Sequence, residues 1–204
     1  MTVRANDEAN RLTISQTLSY LTVVSNSPYS EPDDPANCRR SIATQLSGHV
    51  IVGLRNNVRI DRVRLWRDQL GKWEGRVDWT HRALTAVKTA AGSTYNHLAQ
   101  HRLLNAVVAG RGAELSDSFG WMGETFELDE AAPAAEMALV LAQAISPLQP
   151  RRVLQDSLER VSVFVQGRAV RRSIRSLAGL INQERDLSGR ATTWFVAGAS
   201  GCFD

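Results

Sequence analysis

Apolar residues recur at helical spacing over much of the chain. In VRLWRDQLGKWEGRVDWTHRALTAV, the positions Val63, Trp66, Leu70, Trp73, Val77, Thr80, Leu84 and Val87 step alternately by three and four. That seam predicts one long helix, with Gly71 and Gly75 marking a kink or a close helix contact. A second helix follows in STYNHLAQHRLLNAVVAGRG, with Ser93 as N-cap and Gly110 as stop. Asp129 caps a third, EAAPAAEMALVLAQAI, which ends at SPLQP, and a fourth runs from Arg151 to Gln183 with Gly167 and Gly179 as weak points. RLTISQTLSYLTVV and HVIVGL (His49 to Leu54) are strand-like, SDSFGWMGETFEL (Ser116 to Leu128) is a strand or ordered loop, and three prolines make Ser25 to Asn37 a loop.

The pattern predicts a mainly α protein. Residues 58–194 form an antiparallel four-helix bundle with a short β element between helices two and three; residues 1–57 are an irregular or β-like N-terminal arm, and residues 195–204 a tail. The fourth helix is the most polarised. Arg168, Arg171, Arg172 and Arg175 fall on one face and Val170, Ile174, Leu177 and Ile181 on the other. Like charges at that spacing cost an isolated helix roughly 0.2–0.5 kcal/mol per pair, so the arginine face calls for a partner.

Charge sharpens the question. The 24 basic residues are 22 Arg and only Lys72 and Lys88. Arginine suits bidentate phosphate contacts and interfacial ion pairs, although an Arg- and Ala-rich codon usage gives the same bias. The charges come in blocks: Glu114 to Gln149 holds seven acids and no base, whereas Pro150 to Arg175 holds seven bases and two acids. Such blocks sit on separate solvated faces of a monomer or act as complementary surfaces between subunits.

Little else changes the picture. No apolar run reaches the ~18 residues of a membrane span, and the N-terminal residues lack the order of a signal peptide, so a soluble intracellular protein with no membrane partner is expected. Cys38 and Cys202 lack metal-ligand spacing and are expected to be thiols. His97 and His101 stand one helical turn apart, but without the glutamate of a metalloprotease motif or an evident third ligand. GRGAELSDSFG matches neither dinucleotide nor P-loop spacing. No catalytic set, metal, cofactor or small-molecule substrate is indicated, and the chain reads as a non-enzyme.

The order of elements resembles the coat proteins of rod-shaped, single-stranded-RNA plant viruses, the tobamovirus, hordeivirus and furovirus group. The stretches that carry the likeness are FELD (Phe126 to Asp129), AAEMALVLAQAISPL as third helix, QPRRVLQDSLERVSVF as loop and fourth helix, and LINQERDLSGRATTW towards the tail. The resemblance implies a capsid subunit that polymerises into a helical rod around RNA, found in the virion and in host cytoplasm during assembly. It implies that Arg151 and Arg152 contact RNA, and that carboxylates at Asp129 and Glu130, with Glu136 beyond them, face each other across subunit contacts. Arg168, Arg171, Arg172 and Arg175 then meet RNA or, slightly favoured, the acidic block of a neighbouring subunit. The competing expectations are a helical nucleic-acid-binding module, such as a ribonucleoprotein small subunit or DNA-binding regulator, and an interaction protein whose arginine face meets an acidic partner.

Overall fold

The computed structural model describes residues 35–83, 94–118 and 133–199. In chain order these form α1 (Pro35–Arg55), β1 (Ile60–Arg67), β2 (Trp73–Trp79), α2 (Thr94–Ser118), α3 (Pro133–Ile145), α4 (Pro150–Gln166), α5 (Arg168–Glu184), β3 (Asp186–Ser188) and α6 (Gly189–Ala199). The protein is mainly helical, with a small antiparallel sheet of order β2-β1-β3.

The long helix expected over Val63 to Val87 is instead, through Trp79, a β-hairpin. Within each strand the buried positions alternate: Val63 and Leu65 in β1, and Trp73, Gly75, Val77 and Trp79 in β2. The three-four seam crossed two strands and mixed their faces, so Leu70 ends up 81% exposed at the turn. That turn is built by its own chemistry. Asp68 accepts hydrogen bonds from the Leu70 and Lys72 amides at 2.9 and 2.8 Å, and Gly71 takes the left-handed φ of 79° that a three-residue hairpin loop requires.

HVIVGL is likewise not a strand, nor is this part of the expected arm irregular. It lies inside α1, where every residue from Ile42 to Gly53 is buried. A helix enclosed on all sides has no polar stripe, so its β-branched run imitates a strand. α1 ends at an Asn rather than a Gly: Asn57 adopts φ 57°, Val58 N–H donates to Gly53 O at 2.8 Å and Asn57 N–H to Leu54 O at 3.0 Å.

α2 is the second enclosed helix, and Leu103, Leu104 and Ala106 to Ala109 are all buried. It packs against α1 on one side and against α3 and α4 on another, while α1 also packs on the sheet and α5. Gly110 does not end α2, which continues to Ser118. The expected fourth helix is two: Gly167, at φ −56° and ψ 130°, leaves helical geometry and separates α4 from α5. In α5 the anticipated apolar stripe is in place, with Ile174, Leu177 and Ile181 buried. The Ser116–Leu128 β element, beyond Ser118, and the FELD motif lie outside the described residues.

The α1–α2 contact is very close. A Cβ on Gly48 would lie 2.5 Å from Ala113 Cβ and 2.7 Å from Ala109 O; one on Gly110 would lie 2.3 Å from His49 Nε2. His49 is wholly buried between the helices and its Nδ1 lies 2.8 Å from Ala106 O. Beside it Glu114, 2% exposed, accepts from Ser41, Gln45 and Arg111, so the buried carboxylate is both neutralised and hydrogen-bonded.

Two outcomes follow from this interface. Gly48→Ala forces α1 away from the α2 backbone and should destabilise the protein by about 1–3 kcal/mol in denaturant unfolding, despite alanine's better helix propensity. Burial lowers the His49 pKa from 6.5 to about 4, the hydrogen bond to Ala106 opposing the shift. The neutral ring therefore contributes stability that is fully present above pH ~6.5 and is lost as pH falls towards 4, on the order of 3 kcal/mol at the acid end. His49→Gln should flatten the stability profile across that window, measured by denaturant midpoints.

Candidate nucleic-acid interface

The arginine face of α5 finds a partner inside its own chain. Arg175 donates through Nε to Asp117 Oδ1 at the end of α2, and Arg40 Nη2 of α1 lies 3.9 Å from Asp117 Oδ2. The Asp117 side chain is only 5% exposed, and this carboxylate ties α1, α2 and α5 together. Arg168 and Arg172 are exposed and Arg171 half-buried, and none of the three is in an ion pair among the described residues.

Arg151 and Arg152 stand exposed in the first turn of α4, behind Pro150 and an N-cap, Gln149, that makes no side-chain capping bond. Most of a helix about 25 Å long separates Arg151 and Arg152, in its first turn, from Arg168 just past its end, so the structure does not bring these together. Asp129 and Glu130 lie outside the described residues; Glu136 lies in α3, but its side chain is outside them.

The outer face of the sheet is charged yet largely self-balanced. Arg62 grips Asp186 with two hydrogen bonds of 2.6 and 2.7 Å, and Asp78 pairs with Arg64 at 2.8 Å and with Arg76. The Asp186 carboxylate raises the Arg62 pKa further.

A second concentration of arginines lies elsewhere. A groove of about 1110 Å³ opens where the α1–β1 turn, the chain after β2, the start of α2 and α6 meet. Arg55, Arg59, Arg82, Arg102 and Arg190 line it, together with Leu98, Thr193 and Trp194, and no acid is among its described lining residues. Arg55, Arg59, Arg82 and Arg190 are exposed and Arg102 half-buried. Trp194 is 74% exposed, unusual for the largest aromatic side chain.

Local geometry explains why α6 presents these groups. Leu187 buries between two exposed residues of β3, and Gly189 then brings the chain so close to β1 that a Cβ there would lie 1.9 Å from Ile60 O. Ser188 Oγ accepts from the Ala191 amide at 3.2 Å and starts the helix. Arg190 and Trp194 are four residues apart in α6 and so share one face, which lines the groove. The segment read as a tail from residue 195 is thus helical through Ala199, with Val196 buried.

None of the six groove groups that matter most here was singled out from the sequence. Arg55, Arg59, Arg82, Arg102, Arg190 and Trp194 come from four separate stretches, and no local motif links them. The one available signal was the excess of arginine itself.

His97 and His101 are on α2 as anticipated. Burial, followed by the charges of Arg160 and His97, lowers the His101 pKa, while Asp156 opposes. Among the described residues no cluster of three His, Cys, Asp or Glu could hold a metal ion, and no helix is long and apolar enough to cross a membrane. No protein-family model matches the chain, and no curated protein does.

Proposed function

We propose that this protein binds single-stranded nucleic acid, RNA in the first instance, in the arginine groove between α1, α2 and α6. The observation that carries the reading is the convergence of five arginines and one exposed tryptophan on a groove with no acid among its described lining residues. Guanidinium groups neutralise successive phosphates without reading sequence, and an exposed indole offers a stacking face that accepts any base. The role is binding, not catalysis.

The coat-subunit reading is the self-assembling form of the same proposal. Leu139, Leu148 and Val163 on and between α3 and α4 are 41%, 94% and 74% exposed, and none of them lines the groove. Apolar side chains so exposed suit a contact between copies, which would line a strand with repeated grooves, as in a virion. The β-hairpin in place of the first helix of the family's antiparallel pair is a departure from that resemblance. An interaction protein with an acidic partner at Arg168, Arg171 and Arg172 is the alternative, and it predicts weak binding of nucleic acid.

Fluorescence anisotropy with a labelled oligouridine is the test. The wild-type protein should bind with a steep salt dependence. Arg59→Ala with Arg190→Ala should flatten the log–log salt slope by about 1.4 units, and Trp194→Ala should cost about 1–3 kcal/mol, with Trp194→Phe largely restoring it. Arg151→Ala with Arg152→Ala should leave the affinity of the groove intact. Absence of binding at low salt, or unchanged binding by the groove variants, rejects the proposal. Electron microscopy before and after nuclease separates the two forms: rods or discs with protected RNA are expected of a coat subunit, and Leu148→Glu with Val163→Glu should dissolve them.

A further inference from the structure

A second basic cluster lies away from the groove and shares no lining residue with it. Arg39 of α1, Arg67 at the end of β1 and Arg185 after α5 place their guanidinium carbons 4.9, 4.8 and 5.5 Å from the centre of the Trp73 ring. With Leu65 and Trp66 they line a cavity of about 520 Å³. No ion pair among the described residues involves any of the three arginines. Three acids adjoin these arginines in sequence: Asp68 has its carboxylate engaged by the amides of the hairpin turn, Asp186 is gripped by Arg62, and Glu184 is exposed at the end of α5 and is not among the cavity's described lining residues.

The fold maintains this convergence against opposing forces. Arg67 faces Trp73 directly across the β1–β2 pair. Arg185 caps α5 in a left-handed conformation, φ 62°, which a long non-glycine side chain rarely adopts. That conformation aligns the Arg185 carbonyl with the Leu65 amide, 2.8 Å away, and so ties the residue to the sheet. Arg39 donates through Nη2 to Asn182 O near the end of α5, but its Nε is buried without a hydrogen-bond partner, as is Trp73 Nε1. An indole face attracts cations through its quadrupole, yet it carries no net charge. Three guanidiniums around one ring therefore remain a threefold positive site with unspent donors.

We infer that the Trp73 cavity is a binding site for a phosphate-type polyanion, held by Arg39, Arg67 and Arg185. Guanidiniums recognise phosphate oxygens through paired N–H donors. The indole is already stacked by the arginines, so the site selects the anion and not a base. Two sources present that chemistry: the terminal phosphate of a nucleic-acid strand, or a free nucleotide or pyrophosphate.

Titration calorimetry of the full chain with sodium pyrophosphate, at ionic strength matched with chloride, tests the site. Saturable binding at one site per chain is expected. Arg67→Ala with Arg185→Gly should weaken it by about tenfold or more. Glycine accepts the left-handed conformation at position 185, so the variant keeps its fold, checked by thermal unfolding. Arg59→Ala with Arg190→Ala should leave pyrophosphate binding unchanged, which separates this site from the groove. Oligonucleotides with and without a 5′-phosphate then identify the source: a preference for the phosphorylated end that the Arg67/Arg185 variant abolishes assigns a strand terminus, and equal affinities with retained pyrophosphate binding assign a free anion. No heat of binding, or binding undiminished in that variant, overturns the inference.

Discussion

Ala109 O and Ala113 Cβ of α2 lie where a Cβ on Gly48 of α1 would sit, and the His49 ring lies where a Cβ on Gly110 would sit. Two helices this close can have only small residues at the crossing, and anything larger must find room in the gap above or below it. The rest of the molecule is arranged around that pair. α1 carries the sheet and α5 on its remaining sides, and α2 carries α3 and α4. Because both helices are largely enclosed, many of their polar groups are satisfied internally, His49 by Ala106 O, Ser47 by Ala43 O, and Gln45 and Ser41 by Glu114, while Arg39 Nε in α1 and Ser116 Oγ in α2 are buried without a hydrogen-bond partner.

Charge follows the same economy. Glu114, Asp117, Asp78 and Asp186 each hold an arginine, and Asp117 and Asp78 hold two. Acids thus neutralise much of the positive charge that lies between elements, and arginines gather without an acid among the described lining residues at the groove and at the Trp73 cavity. A formal net charge of +3 understates the field at those surfaces, because the balance is struck locally and not over the whole chain.

The candidate sites were legible only as a composition. The Arg168–Arg175 face was visible because helical periodicity brings neighbours in sequence together, and the structure shows Arg175 bound to Asp117 within the chain. Arg59, Arg102 and Arg190 are brought together by the Asn57 turn, the enclosure of α2 and the approach of Gly189 to Ile60, three tertiary events with no common sequence signature. Arg39, Arg67 and Arg185 converge for the same kind of reason.

By itself the sequence determined the elements whose two faces differ. The apolar stripe of α5, the helical character of α3, and the stop between α3 and α4 are written in local periodicity and in proline, and they form as read; α2, although largely enclosed, was also legible as a helix, but not its end. Only the tertiary structure decided the elements buried on every side or on alternating residues. α1 has no polar face to betray it, and the hairpin carries a spacing that fits a helix until α1 is present to receive Gly75, whose Cβ would lie 2.6 Å from Ile42 Cγ2. Periodicity reports the boundary between core and solvent, and where no such boundary runs along an element, the packing partner alone determines its form.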